Sequence, residues 1–432
     1  MEYERFAERL YQTGILSDPW VEGRQRFSQR AWTIPDPQLE EMYRIGEKMT
    51  QVVEEMAVMI REDHSLLDRY FMLTPWQKMM WLSAEGRWHG IARVDLFQCQ
   101  DGRWQVCEIN SDTPSGEAEA ILINRIVRQT VEEEGRGVSP GGSDPNRQFE
   151  ERFWEMLVAS DRSGRGGKEG PQRIGVLYPT DQPEDLSLVA LYRSWFERRG
   201  CRVTLGSPYN LGLAGDGCVT LIDEPVDLLL RHYKTDWWGE REVIWSTQGA
   251  YPDPDPLERE LSLLLAAERA GRVTVVNPFG AVVSQNKLSM AFIWEHRDQF
   301  PKASQQWIAD YLPETHRMID LDPARLNQED WVLKSVYGCE GDSVVVGRFV
   351  SDEVWRQAIA QALPRHWIVQ RYFDVAPLSP NLDESDQYAG WLPNHGIFVV
   401  GGRAAGIYTR LSPRATDYLA VTIPVFSRSS VT

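Results

Sequence analysis

The stretch from Arg93 to Ser115, RVDLFQCQDGRWQVCEINSDTPS, constrains this chain more than any other, because its pattern sets a strand pairing and the pairing sets a chemistry. Two runs of alternating apolar residues flank Asp101-Gly102, a dipeptide suited to a two-residue type I′ hairpin loop. That register sets Gln100 against Arg103, Phe97 against Val106, Asp95 against Glu108 and Arg93 against Asn110. Side chains alternate along a strand, so the last three pairs share a face. Opposed side chains have Cβ atoms roughly 4.5–5.5 Å apart, and two like charges at that spacing repel. A cation between Asp95 and Glu108 resolves the conflict. Together with Asn110 they offer the hard oxygen ligands that Mg²⁺ accepts beside substrate phosphates, and the Arg93 guanidinium suits a phosphoryl group. The competing reading is a solvated sheet face whose charges meet only water.

The rest of the composition narrows the class. With 432 residues, two or three domains with substantial cores are expected. Hydrophobic residues make up 42% and there are 17 Trp, which favours large buried surfaces and clefts over disorder. A net charge of −17 argues against a nucleic-acid partner and leaves room for a cationic small molecule, although solubility alone accounts for such a charge. The five cysteines (Cys99, Cys107, Cys201, Cys218, Cys339) show no CxxC spacing, so neither a zinc site nor a disulfide framework is expected. A reducing cytoplasm fits that usage. The N-terminus MEYERFAERLYQTG lacks an apolar signal core and no run of about 18 apolar residues occurs, so a soluble protein without a membrane partner is expected.

Residues 37–63 carry Met42, Ile45, Met49, Val52, Val53, Met56, Met59 and Ile60 at helical spacing, which predicts a long amphipathic helix with a core-facing methionine stripe. A second helix is predicted over Pro75–Ala84, and a third from Ser115 to about Glu134, opened by Ser115-Gly116-Glu117. Thr113 and Ser115 lie where orphan N–H groups collect, either as an anion site or simply as caps. Gly135–Asn146 and Ser163–Gly170 read as loops around a short helical segment. From Arg173, the segments IGVLYP, CRVTLG, CVTLI and VDLLLRHY alternate with helices and predict a small parallel α/β unit, closed by a helix at Leu257–Ala270 and a strand at Val273–Asn277. In the last third, Asn286-Lys287 opens a helix (LSMAFIWEHRDQF). Strands are read at Trp331–Val336, Val344–Gly347, Trp367–Phe373 and Gly396–Tyr408, as one antiparallel set. Lys334, followed by the glycine-bounded acidic loop Tyr337–Asp342, makes a plausible phosphate site, and the end of WIVQRYF could hold an adenine through main-chain groups.

Taken in order, RVD…CEINSDTP, NPFGAVVSQNKLSMAFIWE, WVLKSVYGCEGDSVVVG and WIVQRYFDVAPL resemble the synthetase domain of glutathionylspermidine synthases, a branch of the ATP-grasp carbon–nitrogen ligases. The resemblance runs from about Arg93 to the end. It implies an α/β (α+β) fold of the glutathione-synthetase-like ATP-grasp type with an inserted small parallel α/β unit. It also implies the division 1–165 (N-terminal helices and metal-binding hairpin), 171–277 (substrate domain) and 278–432 (nucleotide-binding portion). By the same resemblance Asp95, Glu108 and Asn110 hold Mg²⁺ and Arg93 stabilises the transferring phosphoryl group. Lys287 and Lys334 contact ATP phosphates with Glu340 and Gly341 of the loop, Gln370 and Tyr372 lie at the adenine, and Thr113 and Ser115 lie near the acyl acceptor. The implied reaction activates a peptide-like carboxylate as an acyl phosphate and joins it to an amine, and no Ser-His-Asp or Cys-His nucleophile is evident.

Three departures limit what the resemblance implies. Gly338-Cys339-Glu340-Gly341 stands where the family has an arginine over the phosphates; no amidase domain with its cysteine is read in this sequence, so hydrolysis of the product by this chain is not expected; and LLLRHYKTDWWGE offers only Asp236 and Glu240 as acids at the expected polyamine site. The rival readings are an ATP-binding regulator or scaffold of the same fold, and a phosphotransferase that stops at a phosphorylated product.

Overall fold

A computed structural model describes residues 3–133, 142–162, 170–180, 182, 185–239, 257–337, 344–362, 367–378 and 388–429. The predicted long helix is Asp36–Glu62, and Met42, Ile45, Met49, Val52, Val53, Met56 and Ile60 along it are buried. Burying one such side chain is worth roughly 1.5–3 kcal/mol, so the stripe fastens the helix to what lies beneath it. Beneath it is a five-stranded antiparallel sheet, in the order Val421–Ile423, Arg403–Ser412, Leu392–Val400, Ile91–Gln98, Trp104–Asn110. Val94, Leu96, Ile397 and Val399 meet the long helix on one face. Ile91, Phe398 and Val400 meet a second core on the other, with the helices Glu117–Glu133, Phe149–Ser160 and Leu186–Arg198. The helix predicted at Pro75–Ala84 starts and ends there, capped by a reciprocal Thr74–Gln77 box.

The parallel unit is a four-stranded sheet ordered Thr274–Val276, Leu228–Arg231, Arg173–Leu177, Arg202–Gly206. The segment CVTLI is not part of it. Val219–Leu221 is the middle strand of a separate antiparallel sheet between Leu211–Leu213 and Glu224–Pro225. The reason is connection length: no helix intervenes between Gly206 and Val219 beyond one 3₁₀ turn, so the chain turns back on itself instead of crossing over to a parallel neighbour.

The last third also divides differently from the expectation. Trp331–Ser335, Val344–Val346 and Trp367–Arg371 form a four-stranded antiparallel sheet with Thr315–Arg317. Gly396–Tyr408 is instead a hairpin of two strands turning at Gly401-Gly402, and it joins the five-stranded sheet beside Ile91–Gln98. Leu392–Val400 is buried along nearly its whole length, as a strand paired on both sides must be. Lys287 immediately precedes the helix Leu288–Glu295, which gives way to a 3₁₀ turn at Arg297–Gln299. Among the described residues no helix is long and apolar enough to cross a membrane, and the described cysteines are unbridged.

Candidate active site

The hairpin places Asp95 opposite Glu108 and Arg93 opposite Asn110, as the sequence pattern requires, but by a different route. The loop has three residues, not two: Gly102 donates its N–H to the Cys99 carbonyl at 2.9 Å, and Cys99 donates to the Arg103 carbonyl at 2.7 Å. Gly102, at φ +85°, occupies the left-handed position of such a three-residue turn. Phe97 therefore faces Gln105, and Val106 faces Leu96, so the expected pairs Phe97–Val106 and Gln100–Arg103 are corrected. A bulge at Cys107, between the Leu96–Val106 and Asp95–Glu108 pairs, restores the register before the carboxylates are reached.

Asp95 is fully buried. Arg93 donates to it through Nε at 2.7 Å and Nη2 at 3.1 Å, and Arg410 donates through Nη2 at 2.9 Å. The third arm of Arg93 donates to the Ser115 carbonyl at 2.7 Å. Gly396 makes this possible, because a Cβ there would stand 2.6 Å from Arg93 Cδ. Ser115 is exposed and Thr113 half-buried just ahead of the helix Glu117–Glu133, two residues later than expected for its start.

Glu108 receives a hydrogen bond from Asn110 Nδ2 at 3.2 Å and lies 3.9 Å from Lys287 Nζ. Burial raises its carboxyl, but Lys287, Lys334 and Arg93 outweigh burial and bring it down to about 2, so it is anionic at neutral pH. Its side chain is 30% exposed, toward a small recess shared with Ser284, Gln285 and Lys287. An anionic, partly open carboxylate beside an amide oxygen fits a hard divalent cation. Among the described residues no three His, Cys, Asp or Glu side chains are clustered for a metal, and both Asp95 oxygens are held by guanidinium groups.

Lys334 is buried, donating to the carbonyl of the bulged Cys107 at 3.0 Å and to Gln370 Oε1 at 2.7 Å. Gln370 in turn donates to Thr315 at 3.0 Å. Its side chain thus orients the lysine. Tyr372 is half-buried at the strand's end, under the Arg348 guanidinium at 4.2 Å. Asp236 is half-buried beside Lys234 Nζ at 3.3 Å; burial raises its carboxyl, Lys234 opposes the rise, and Asp112 adds to it. Glu340, Gly341, Cys339 and Glu240 lie outside the described residues. The half-buried Cys107 has its thiol pushed up to about 12 by burial, which disfavours the reactive thiolate.

One group thus gathers Arg93, Asp95, Glu108, Asn110, Ser115, Lys287, Lys334 and Gln370, whereas Tyr372 stands at the strand's outer end. Three residues escaped the sequence reading. Arg410 was legible only as a lone cation ending the apolar run GIYTR. Gln285 accepts the Ser111 and Asp112 N–H groups at 2.9 and 3.1 Å. Asn277 binds Gly90 and Ile91 at the start of the hairpin and Ser111 and Asp112 at its end, at 2.7–3.0 Å. Both lie in the NPFGAVVSQNK motif, whose polar residues were the available signal.

Comparison with known proteins agrees with this architecture. Two curated relatives provisionally named glutamate–cysteine ligase, 2-3 from Frankia alni and 2-2 from Frankia casuarinae, are 27% and 28% identical over 295 and 302 residues. The matches cover 65% and 66% of this chain but 30% and 31% of the relatives, so the match spans less than a third of their length. A solved glutathione synthetase-like effector from Globodera pallida, in apo form, superposes with a TM-score of 0.58 at 11% identity, over 99% of this chain and 98% of that one. The fold is therefore glutathione-synthetase-like. The family model for the glutathionylspermidine synthase pre-ATP-grasp domain matches residues 20–426, and the chain belongs to that family.

Proposed function

We propose that this protein is an ATP- and Mg²⁺-dependent carbon–nitrogen ligase that activates a peptide-like carboxylate and joins it to an amine. The observation that carries the reading is the Glu108 carboxylate, kept ionised by Lys287, Lys334 and Arg93 across the hairpin from Asp95. Asp95, Glu108 and Asn110 would hold Mg²⁺, Asp95 by giving up an arginine contact, and the ion would neutralise charge on the ATP phosphates. Lys287 and Lys334 bind those phosphates, and Gln370 keeps Lys334 aimed. Arg93 and Arg410, preset by Asp95, meet the transferring phosphoryl oxygens. Tyr372 borders the nucleotide base.

The chemistry has two steps. A carboxylate oxygen of the acid attacks the γ-phosphorus and ADP leaves. The amine, drawn in near Thr113 and Ser115 as its cationic form by Asp236, gives up one proton to solvent; its freed lone pair then attacks the acyl carbon, and phosphate leaves carrying the second proton as the amide forms. The chain's contribution is placement and charge neutralisation. The acids and amines are small molecules or short peptides, and a cytoplasmic setting suits such substrates.

The test is ADP release across peptide-like acids crossed with amino acids and polyamines, with mass spectrometry of each product. ADP that appears only with both an acid and an amine, with an amide as product, is expected. A phosphorylated end product, or ADP release indifferent to both, would sink the proposal. Glu108→Gln should lower turnover by about 10²-fold or more, the usual scale for a lost charge-stabilising group.

A further inference from the structure

Between Asn110 and Ser115 the chain passes through a junction that the proposed reaction does not itself require. Asp112 is 1% exposed and the Arg231 side chain fully buried, with Arg231 Nη2 2.6 Å from Asp112 Oδ1 as a close charge pair outside hydrogen-bond alignment. Asp112 Oδ2 accepts from Thr235 N at 2.6 Å and Thr235 Oγ1 at 2.9 Å. Arg231 spends its other donors on the carbonyls of Asn277, Tyr233 and Pro278. The main chain on either side of Asp112 is held by Gln285 and Asn277. Every one of these partners belongs to the parallel sheet's carboxyl ends or to the segments that follow them.

A buried ion pair is a poor way to gain stability, because desolvating both charges cancels most of their attraction and apolar replacements are often as stable. What the pair supplies is direction. Asp112 is the last residue before Thr113-Pro114-Ser115, and the Ser115 carbonyl takes the third arm of Arg93. We propose that the Asp112–Arg231 pair is a positioning device, locking residues 113–115 to the end of strand Leu228–Arg231 so that Arg93 and the substrate-binding loop keep one geometry. This role rests on the ligase reading above.

The test uses the full chain. Asp112→Asn with Arg231→Met removes both charges together, while the introduced side-chain amide still offers an oxygen to Thr235. Each single change strands a buried charge or breaks its network, and should lower the unfolding temperature well below that of the pair. The double variant should recover most of that loss, yet release ADP with kcat at least 30-fold down and the ATP KM within threefold. Its Thr113 and Ser115 amides should exchange with deuterium at least tenfold faster than in the unmodified protein. Unchanged kcat with unchanged exchange overturns the proposal, and so does a double variant that fails to fold, since stability would then be the pair's contribution. If the unmodified protein releases no ADP with any substrate pair, the ligase reading fails first, and the exchange rates alone decide whether the pair fixes the loop.

Discussion

Glu117 offers a test of the site's surroundings that needs no substrate. It is the first residue of the helix Glu117–Glu133 and is fully buried. The Tyr192 hydroxyl donates to Oε1 at 3.2 Å, and Oε2 has no hydrogen-bond partner among the described residues. Burial dominates, raising the carboxyl from 4.5 to about 7, while the nearby His232 and Arg93 pull the other way. A group whose proton affinity is raised by folding stabilises the fold below its unfolded value and loses that contribution as pH climbs through the folded value. At about 1.4 kcal/mol per tenfold change in affinity, the full span is about 3 kcal/mol, most of it falling between pH 5 and 8.

Glu117→Gln keeps the shape and removes the titration. Urea unfolding of both proteins at pH 5, 6, 7 and 8 should show the Gln variant gaining about 2–3 kcal/mol on the parent as pH rises, since groups not coupled to Glu117 cancel in the difference. A difference that stays flat across this range, or that favours Glu at high pH, would refute the burial argument. His232 gives an independent readout. Burial works against its charge, but Asp185 at 3.0 Å, with Glu117 and Asp112, keeps it above its ordinary value. Its titration should move down once Glu117 is neutral.

Three further outcomes are expected. Gly396→Ala forces its new methyl against Arg93, at a cost of about 1–3 kcal/mol, read by thermal unfolding, and turnover should fall with it; parent-like stability would show that Arg93 can move aside. Thr74→Ala removes the cap on Pro75–Ala84 and should cost about 0.5–2 kcal/mol in urea, a loss that a merely exposed threonine would not produce. Native Cys107 should react slowly with iodoacetamide at pH 8 and faster once the protein is unfolded, as seen by peptide mapping; rapid native labelling would contradict the raised thiol.

What the sequence made legible follows from the range of the interactions involved. The long helix, the capped helix at Pro75–Ala84 and the strands around Asp101-Gly102 rest on contacts a few residues apart, and their pattern is written locally. The partnership of Gly396–Tyr408 with the hairpin depends on which distant strand completes a sheet, which periodicity does not encode, whereas CVTLI leaves the parallel sheet for its own sequence neighbours because the connection before it is short. The same limit hid Arg410 and Asn277. Each is a single polar residue whose role exists only because a strand far away in the sequence runs beside it. Lys287 was singled out only through a resemblance carried by whole motifs, whereas Lys334 was also marked by the glycine-bounded loop that follows it.

The hairpin shows why the facing carboxylates survived a wrong loop. The three-residue turn alone would shift the pairing by one position, setting Asp95 against Cys107 and Glu108 against Val94. Val94 points into the core under the long helix, so that register would drive an ionised carboxylate into apolar packing, at a cost no nearby cation could offset. One extra residue at Cys107 removes the conflict. It lets Val106 keep the core beside Leu96 while Glu108 turns to Lys287, and it leaves the Cys107 carbonyl facing Lys334. The alternation of apolar and charged residues fixes the register at the carboxylates more firmly than the turn does. The bulge is the adjustment that lets both be satisfied, and in making it the strand gains the carbonyl that seats Lys334 next to Glu108.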